Sequence, residues 1–161
     1  MEAQPGAART LLEAGLSESG YGKANTIMEL ELVLRELGGD PQVRDPELYF
    51  FSIFGEPGRS TPWGLRAEGH HLSLNFTIAG GDLVATAPAF FGANPARVPR
   101  GSRQGLRALP AEEDLARELV SALNSAHRAE AIIAVEAPRD IVTGNAAEVQ
   151  PLSPTASRLR D

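Results

Sequence analysis

The sequence predicts an α+β protein in which an antiparallel meander sheet of three or more strands packs against an N-terminal helix and a C-terminal helical pair. Three observations support this prediction: an apolar stripe at helical spacing near the N-terminus, a central series of extended segments separated by glycine and proline, and a second helical region after residue 109. We predict a single α+β domain over residues 1–144. Residues 145–161 lack any periodicity and are predicted to form a flexible tail.

The first predicted element is a helix over residues 17–37. The Gly20 and Gly22 pair places its first residue near Tyr21, and Gly38 supplies the left-handed conformation that ends a helix. The apolar side chains recur at helical spacing and are Ile27, Leu30, Leu34 and Leu37.

Three extended segments follow, and they predict the meander. Residues 47–54 are aromatic and apolar, as in a strand covered on both faces. Residues 63–78 form one long extended segment, and residues 83–91 return as its partner. Between these two, Gly80 and Gly81 provide the positive φ angles of a tight hairpin turn.

The C-terminal helical region begins at Pro110, and acidic residues follow in its first turn, where they favour the positive end of the helix dipole. A break at Asn124 separates it from a second helix over residues 126–134. The side chains predicted to face the core are Leu115, Leu119, Ala122 and Leu123.

The composition disfavours several classes of binding partner and excludes cysteine chemistry. Of 161 residues, 42% are hydrophobic and 22% charged, and the net charge of −6 disfavours binding to nucleic acid or anionic membranes. No cysteine is present, which excludes disulfides, thiolate metal sites and cysteine catalysis. No apolar run reaches the roughly 20 residues of a membrane span, and no secretion signal is evident. We expect a cytoplasmic chain that binds a small molecule, with an oligomeric state that the sequence leaves open.

The segment from residue 68 to 78 carries the candidate functional residues. If it is one regular strand, His70 shares a face with Leu72 and Leu74, whereas His71 lies on the opposite face. That opposite face is a polar row completed by Ser73, Asn75 and Thr77. Two interpretations stay open: an ordinary solvated sheet face, or a polar cleft lined by this row.

Of the two adjacent histidines, we predict that one has a functional imidazole and that the other packs in the core. Because His70 and His71 point in opposite directions along a regular strand, they do not chelate one ion together, unless a β-bulge at Gly69 re-aims one of them. Glu68 lies two residues before His70, on the same face, and is expected to orient its imidazole or share a metal with it.

Several segments of the chain have a recognisable pattern: ELYFFSIFG (residues 47–55), WGLRAEGHHLSLNFT (63–77), FFGANPA (90–96), SESGYGKANTIMELELVLRELGG (17–39) and APRDIVTGN (137–145). Together they resemble the uncharacterised family called domain of unknown function 3500. The resemblance covers nearly the whole chain but implies no activity. It also implies longer members, with a helical segment before this chain's residue 11 and further strands and histidines beyond residue 145. We therefore expect the central part of a longer family protein, with a naturally compact variant as the alternative.

The leading functional hypothesis is a metal-dependent hydrolase or oxidoreductase. His70 and His71 are the candidate metal ligands, and Glu68 and His71 the candidate catalytic residues. Imidazole and carboxylate ligands suit Zn, Fe, Cu or Mn. Candidate substrate-binding residues are Arg66, Ser73 and Asn75. The alternatives are a non-catalytic module that binds a small ligand on the polar strand face, a structural hydrogen-bond network around the histidines, and an inactive fragment.

Overall fold

The computed structural model describes residues 3–136 and the single positions 141, 144, 146 and 148. These residues form four helices and a five-stranded antiparallel sheet, which confirms the predicted α+β class. None of the described helices is long and apolar enough to cross a membrane. The chain divides into two compact units, residues 1–110 and 111–161. The predicted single domain over 1–144 stays a prediction, and the predicted tail lies outside the described residues except for positions 146 and 148.

Two helices begin the first unit: α1, Ala3–Gly15, and α2, Glu18–Glu36. Helix α1 was not predicted from the sequence, whereas α2 confirms the predicted N-terminal helix. The predicted start of α2 near Tyr21 is wrong. The Ser17 side chain accepts a hydrogen bond from the backbone N–H of Gly20, and this N-cap supports a helical first turn despite its glycines.

The sheet lies between residues 49 and 91, and its strands are β1, Tyr49–Phe54; β2, Trp63–Gly69; β3, Leu72–Ala79; β4, Asp82–Ala85; and β5, Ala89–Phe91. β1 to β4 follow one another as an antiparallel meander, and β5 also pairs with β3. Gly80 and Gly81 both have positive φ angles and join β3 to β4, which confirms the predicted hairpin. The return segment predicted over residues 83–91 is divided into β4 and β5.

The prediction of one extended segment over residues 63–78 is wrong. His70 and His71 form a two-residue turn, and Gly69 pairs with Leu72 across it. His71 adopts φ 61°, in the left-handed region that histidine enters more readily than most residues. Because the usual sequence signals for such a turn contain glycine or asparagine, the histidine pair did not reveal it.

The core of the first unit lies between the two helices and one face of the sheet. α2 contributes most of the helical side chains, and β2 and β3 contribute alternate residues of the inner face. Its buried members include Leu12, Ile27, Leu30, Val33, Leu65, Ala67, Leu72, Leu74 and Phe76. The opposite, outer face of the sheet carries the residues that alternate with these.

The second unit contains α3, Pro110–Ala122, and α4, Ser125–Ala131, which confirm the predicted helical pair. The Asn124 side chain caps α4 by accepting a hydrogen bond from the backbone N–H of His127. The prediction that Leu115, Leu119 and Ala122 face the core is wrong, because no residue of α3 is buried. Leu115 is 63% exposed. The predicted packing of this pair against the sheet stays a prediction.

Glycine at position 69 is required by a close approach of β1. Tyr49 lies opposite Gly69 in the register, and a Cβ atom at position 69 would overlap the Tyr49 ring. At Gly64 on the same strand, the nearest atom to such a Cβ is 3.5 Å away, which is an ordinary contact.

We therefore expect Gly69→Ala to lower the free energy of unfolding by about 1–3 kcal/mol, because the Tyr49 ring must move. Gly64→Ala is the matched control and should change stability by less than about 1 kcal/mol. Urea denaturation of the two variants measures both values. Equal destabilisation by the two substitutions would contradict the close packing of Tyr49 on Gly69.

A candidate acid–base site at the β2–β3 turn

The backbone of the His70–His71 turn is fixed from two directions. The Tyr49 hydroxyl donates a hydrogen bond of 2.8 Å to the carbonyl oxygen of His70. The backbone N–H of Gly92, just after β5, donates one of 2.8 Å to the carbonyl oxygen of His71. A Cβ atom at position 92 would lie 3.0 Å from His71 Nδ1, so this approach favours glycine. Strand β1 and the segment after β5 together hold the turn.

A carboxylate from α2 contacts the side chain of the turn's first residue. Glu31 is only 2% exposed, and its Oε1 atom contacts Nδ1 of His70. Because a carboxylate only accepts hydrogen bonds, Nδ1 carries the hydrogen in this contact and Nε2 keeps its lone pair. The His70 side chain is 35% exposed, so the imidazole reaches from the buried carboxylate to solvent.

Arg44, in the loop between α2 and β1, provides the compensating positive charge. Its Nη1 atom lies 3.7 Å from Oε2 of Glu31, and within the described chain that buried oxygen has no hydrogen-bond partner. The same Nη1 lies 3.3 Å from each ring nitrogen of His70. A buried carboxylate is costly unless it is paired, and here a cation and an imidazole N–H share that role.

Tyr49 completes the surroundings of the turn. Its burial, and secondarily the negative charge of Glu31, raise the pKa of the phenol well above the usual value of 10. Both effects disfavour the phenolate, since a second negative charge would be placed near the carboxylate in a poorly solvated position. Tyr49 therefore stays protonated and continues to donate to the His70 carbonyl at neutral pH.

The substrate-binding residues predicted from the sequence lie on the outer face of the sheet. Arg66 Nε donates a hydrogen bond of 2.8 Å to Oδ1 of Asn75, and Arg66 Cζ lies 5.3 Å from the ring centroid of Phe54. Ser73 is half-buried on the same face. The predicted binding residues thus share one face of β2 and β3, whereas the two histidines form the turn that joins these strands.

Glu68, predicted to orient His70, lies on this outer face instead. Its Oε1 atom is 3.9 Å from Arg66 Nη1, an ion pair between half-exposed side chains. The carboxylate that contacts His70 is Glu31, which was not among the residues predicted from the sequence. Glu31 follows Ile27 by four residues and therefore stands on the apolar stripe of α2. A carboxylate at a core position was the signal that could have found it.

The described residues do not fit the divalent-metal centre expected from the sequence. The rings of His70 and His71 lie near each other, with centroids 4.0 Å apart. Over the described part of the chain, however, no three or more histidine, aspartate or glutamate side chains are placed to hold a metal ion. A divalent cation on either nitrogen of His70 would also face the Arg44 guanidinium 3.3 Å away. The metal-binding roles of the two histidines are therefore unsupported.

The fold and the site define an α+β protein whose histidine-bearing hairpin turn is anchored to a buried carboxylate. A family model described as "Protein of unknown function (DUF3500)" matches residues 1–156, and the chain belongs to this family. The family resemblance found in the sequence motifs is thereby confirmed. No curated protein and no solved structure matches the chain.

The raised pKa of Tyr49 can be measured without interference from the second tyrosine of the chain. The chain has two tyrosines, so a Tyr21→Phe variant retains only the Tyr49 phenol. Since the folded pKa lies above the unfolded value, this group's stabilising contribution is complete below pH about 10 and is lost as the pH rises further. We expect the tyrosinate absorbance of this variant to rise together with alkaline unfolding, measured by circular dichroism. A separate titration step near pH 10 in the folded protein would contradict the prediction.

The charge balance around Glu31 predicts an order of stabilities. Arg44→Met leaves the buried carboxylate without its cation and should lower the free energy of unfolding by about 2–3 kcal/mol. Glu31→Gln keeps an oxygen acceptor for His70 and should lose only about 1 kcal/mol. In the double variant the loss should be smaller than the sum, because no carboxylate remains to be compensated. Denaturant titrations of the four proteins test this cycle, and additive losses would show that the two side chains are not coupled.

Proposed function

We propose that Glu31, His70 and Arg44 form an acid–base site that hydrolyses a small anionic substrate. The observation that supports the proposal is the His70 imidazole, 35% exposed, whose Nδ1 is held by a carboxylate that is itself 2% exposed. A buried carboxylate that fixes the tautomer of a partly exposed histidine is a recurrent arrangement in enzymes that transfer protons.

The proton transfers follow from the geometry. With its hydrogen on Nδ1, His70 accepts a proton from a water molecule at Nε2, and the hydroxide adds to the substrate's acyl carbon. Glu31 stabilises the imidazolium that forms. The imidazolium then returns the proton to the leaving oxygen as the carbon–oxygen bond breaks, which restores the neutral ring.

Arg44 suggests the substrate class. Its guanidinium is partly exposed, with 27% of the side chain accessible, and lies beside the imidazole. Guanidinium groups bind carboxylates and phosphates through paired N–H donors. A guanidinium carries five N–H donors, and only Nη1 of Arg44 lies beside His70 and Glu31, so its other donors are available to bind a negatively charged substrate next to the imidazole. Of the two reaction classes expected from the sequence, proton transfer of this kind favours hydrolysis over oxidation and reduction.

A second candidate function is non-catalytic binding of a small ligand on the outer face of the sheet. The stacking of Arg66 over Phe54, next to the amide of Asn75, favours this alternative, because planar ligands use such combined aromatic and hydrogen-bonding surfaces. Binding there does not involve His70, so substitution of the histidine separates the two functions.

The proposal is tested with two para-nitrophenyl esters, the anionic glutarate monoester and the neutral acetate. We expect His70→Gln to lower kcat/KM for the anionic ester by about 10²–10⁴-fold, because the general base is lost. Arg44→Met should raise KM for the anionic ester much more than for the neutral one.

His127→Gln is the control variant, because His127 is an exposed histidine of the other unit. It should hydrolyse both esters at the rate of the unaltered protein. Circular dichroism establishes that each variant remains folded. If folded His70→Gln retains the original rate, the acid–base proposal fails. Ligand binding that depends on Arg66 would then support the second candidate.

A further inference from the structure

Strand β1 is an edge of the sheet with the properties of a pairing surface. It pairs with β2 on one side, and none of the described strands pairs with it on the other. Its six residues, YFFSIF, include no charged residue and no proline. Edge strands normally carry such residues, because a bare row of backbone N–H and C=O groups is a template for another strand.

Both faces of β1 also carry exposed apolar side chains. Phe50 is 63% exposed and Phe54 50% exposed on the outer face, and Ile53 is 54% exposed on the inner face. Exposed apolar groups that flank unsatisfied backbone donors and acceptors favour the addition of a strand. A partner at this edge would cover backbone and side chains together.

We propose that a second copy of this chain pairs with this edge, β1 against β1, in antiparallel orientation about a two-fold axis at Ser52. In this register Ser52 faces Ser52 of the second copy. Phe50 faces Phe54 on the outer face, and Phe51 faces Ile53 on the inner face.

The alternation of side chains selects this register. Directly opposed residues of an antiparallel pair lie on the same face of the sheet. A two-fold axis perpendicular to the sheet must therefore place one residue opposite the same residue of the second copy. An axis at Phe51 would oppose Phe50 to Ser52 and Phe54 to Leu48, which lies outside β1. The axis at Ser52 instead opposes aromatic to aromatic and aromatic to β-branched side chains, the pairings that stabilise sheets.

The charge of the chain is compatible with a second copy as the occupant. No charged side chain of β1 is brought opposite a like charge, because β1 has none. Each copy does carry a net charge of −6, so repulsion between the copies is general and is screened by salt. The paired strands form a closed two-fold interface, which stops at a dimer.

The absence of cysteine allows a direct test on the full chain. Ser52→Cys places one thiol on the axis, and mild oxidation should convert the protein to a disulfide-linked dimer. Ser73→Cys is the matched control, since it lies on the same face but on an interior strand. It should crosslink much more slowly. Sedimentation of the unaltered chain should show a dimer that strengthens with protein concentration and with salt, and Ile53→Lys should be monomeric.

Three results would overturn the proposal. The first is a chain that stays monomeric at all concentrations while Ser52→Cys crosslinks no faster than Ser73→Cys. The second is faster crosslinking through Phe54→Cys than through Ser52→Cys, which would indicate another register. The third is a dimer that Ile53→Lys leaves intact, since the interface would then lie elsewhere.

Discussion

The arrangement of residues around the β2–β3 turn depends on the burial of the Glu31 carboxylate. A carboxylate that is 2% exposed needs partners that replace water, and it obtains them from Arg44 and His70. One partner belongs to the loop after α2 and the other to the turn between β2 and β3. The carboxylate consequently joins the helical layer to the end of the sheet, and a single charged group determines where a partly exposed imidazole is held.

The two-residue turn determines both the position of the histidines and the division of the sheet into faces. Because the chain reverses at His70 and His71, odd-numbered residues of β2 and even-numbered residues of β3 share the buried face. Arg66, Glu68 and Asn75 are left on the outer face of the sheet. The residues predicted to lie together on one strand are thus divided between the turn and the outer face of the sheet.

Strand β1 connects the proposed site with the proposed interface. Tyr49, its first residue, donates to the His70 carbonyl, and the exposed Phe50, Ile53 and Phe54 follow in the same strand. Added strand pairing at this edge would restrain the residue that supports the turn. The aromatic residues of β1 therefore have two roles: Tyr49 packs on Gly69, and the exposed phenylalanines form part of the apolar edge.

The sequence by itself determined the features that depend on local chemistry. The stripe of α2, the Gly80–Gly81 hairpin and the helical pair were predictable because periodicity, caps and positive φ angles act within a few residues. The family, too, followed from contiguous motifs. The helix α1 was not predictable from periodicity, because Pro5 and Gly6 lie near its start and its large apolar residues, Leu11 and Leu12, are adjacent and form no stripe.

Only the tertiary structure decided the site. Glu31 and His70 are 39 residues apart, and no local pattern specifies that their side chains meet. The turn at His70–His71 likewise lacks glycine or asparagine and depends on contacts from Tyr49 and Gly92. A buried charge is stabilised by partners from distant segments, and the folded chain alone brings those segments together.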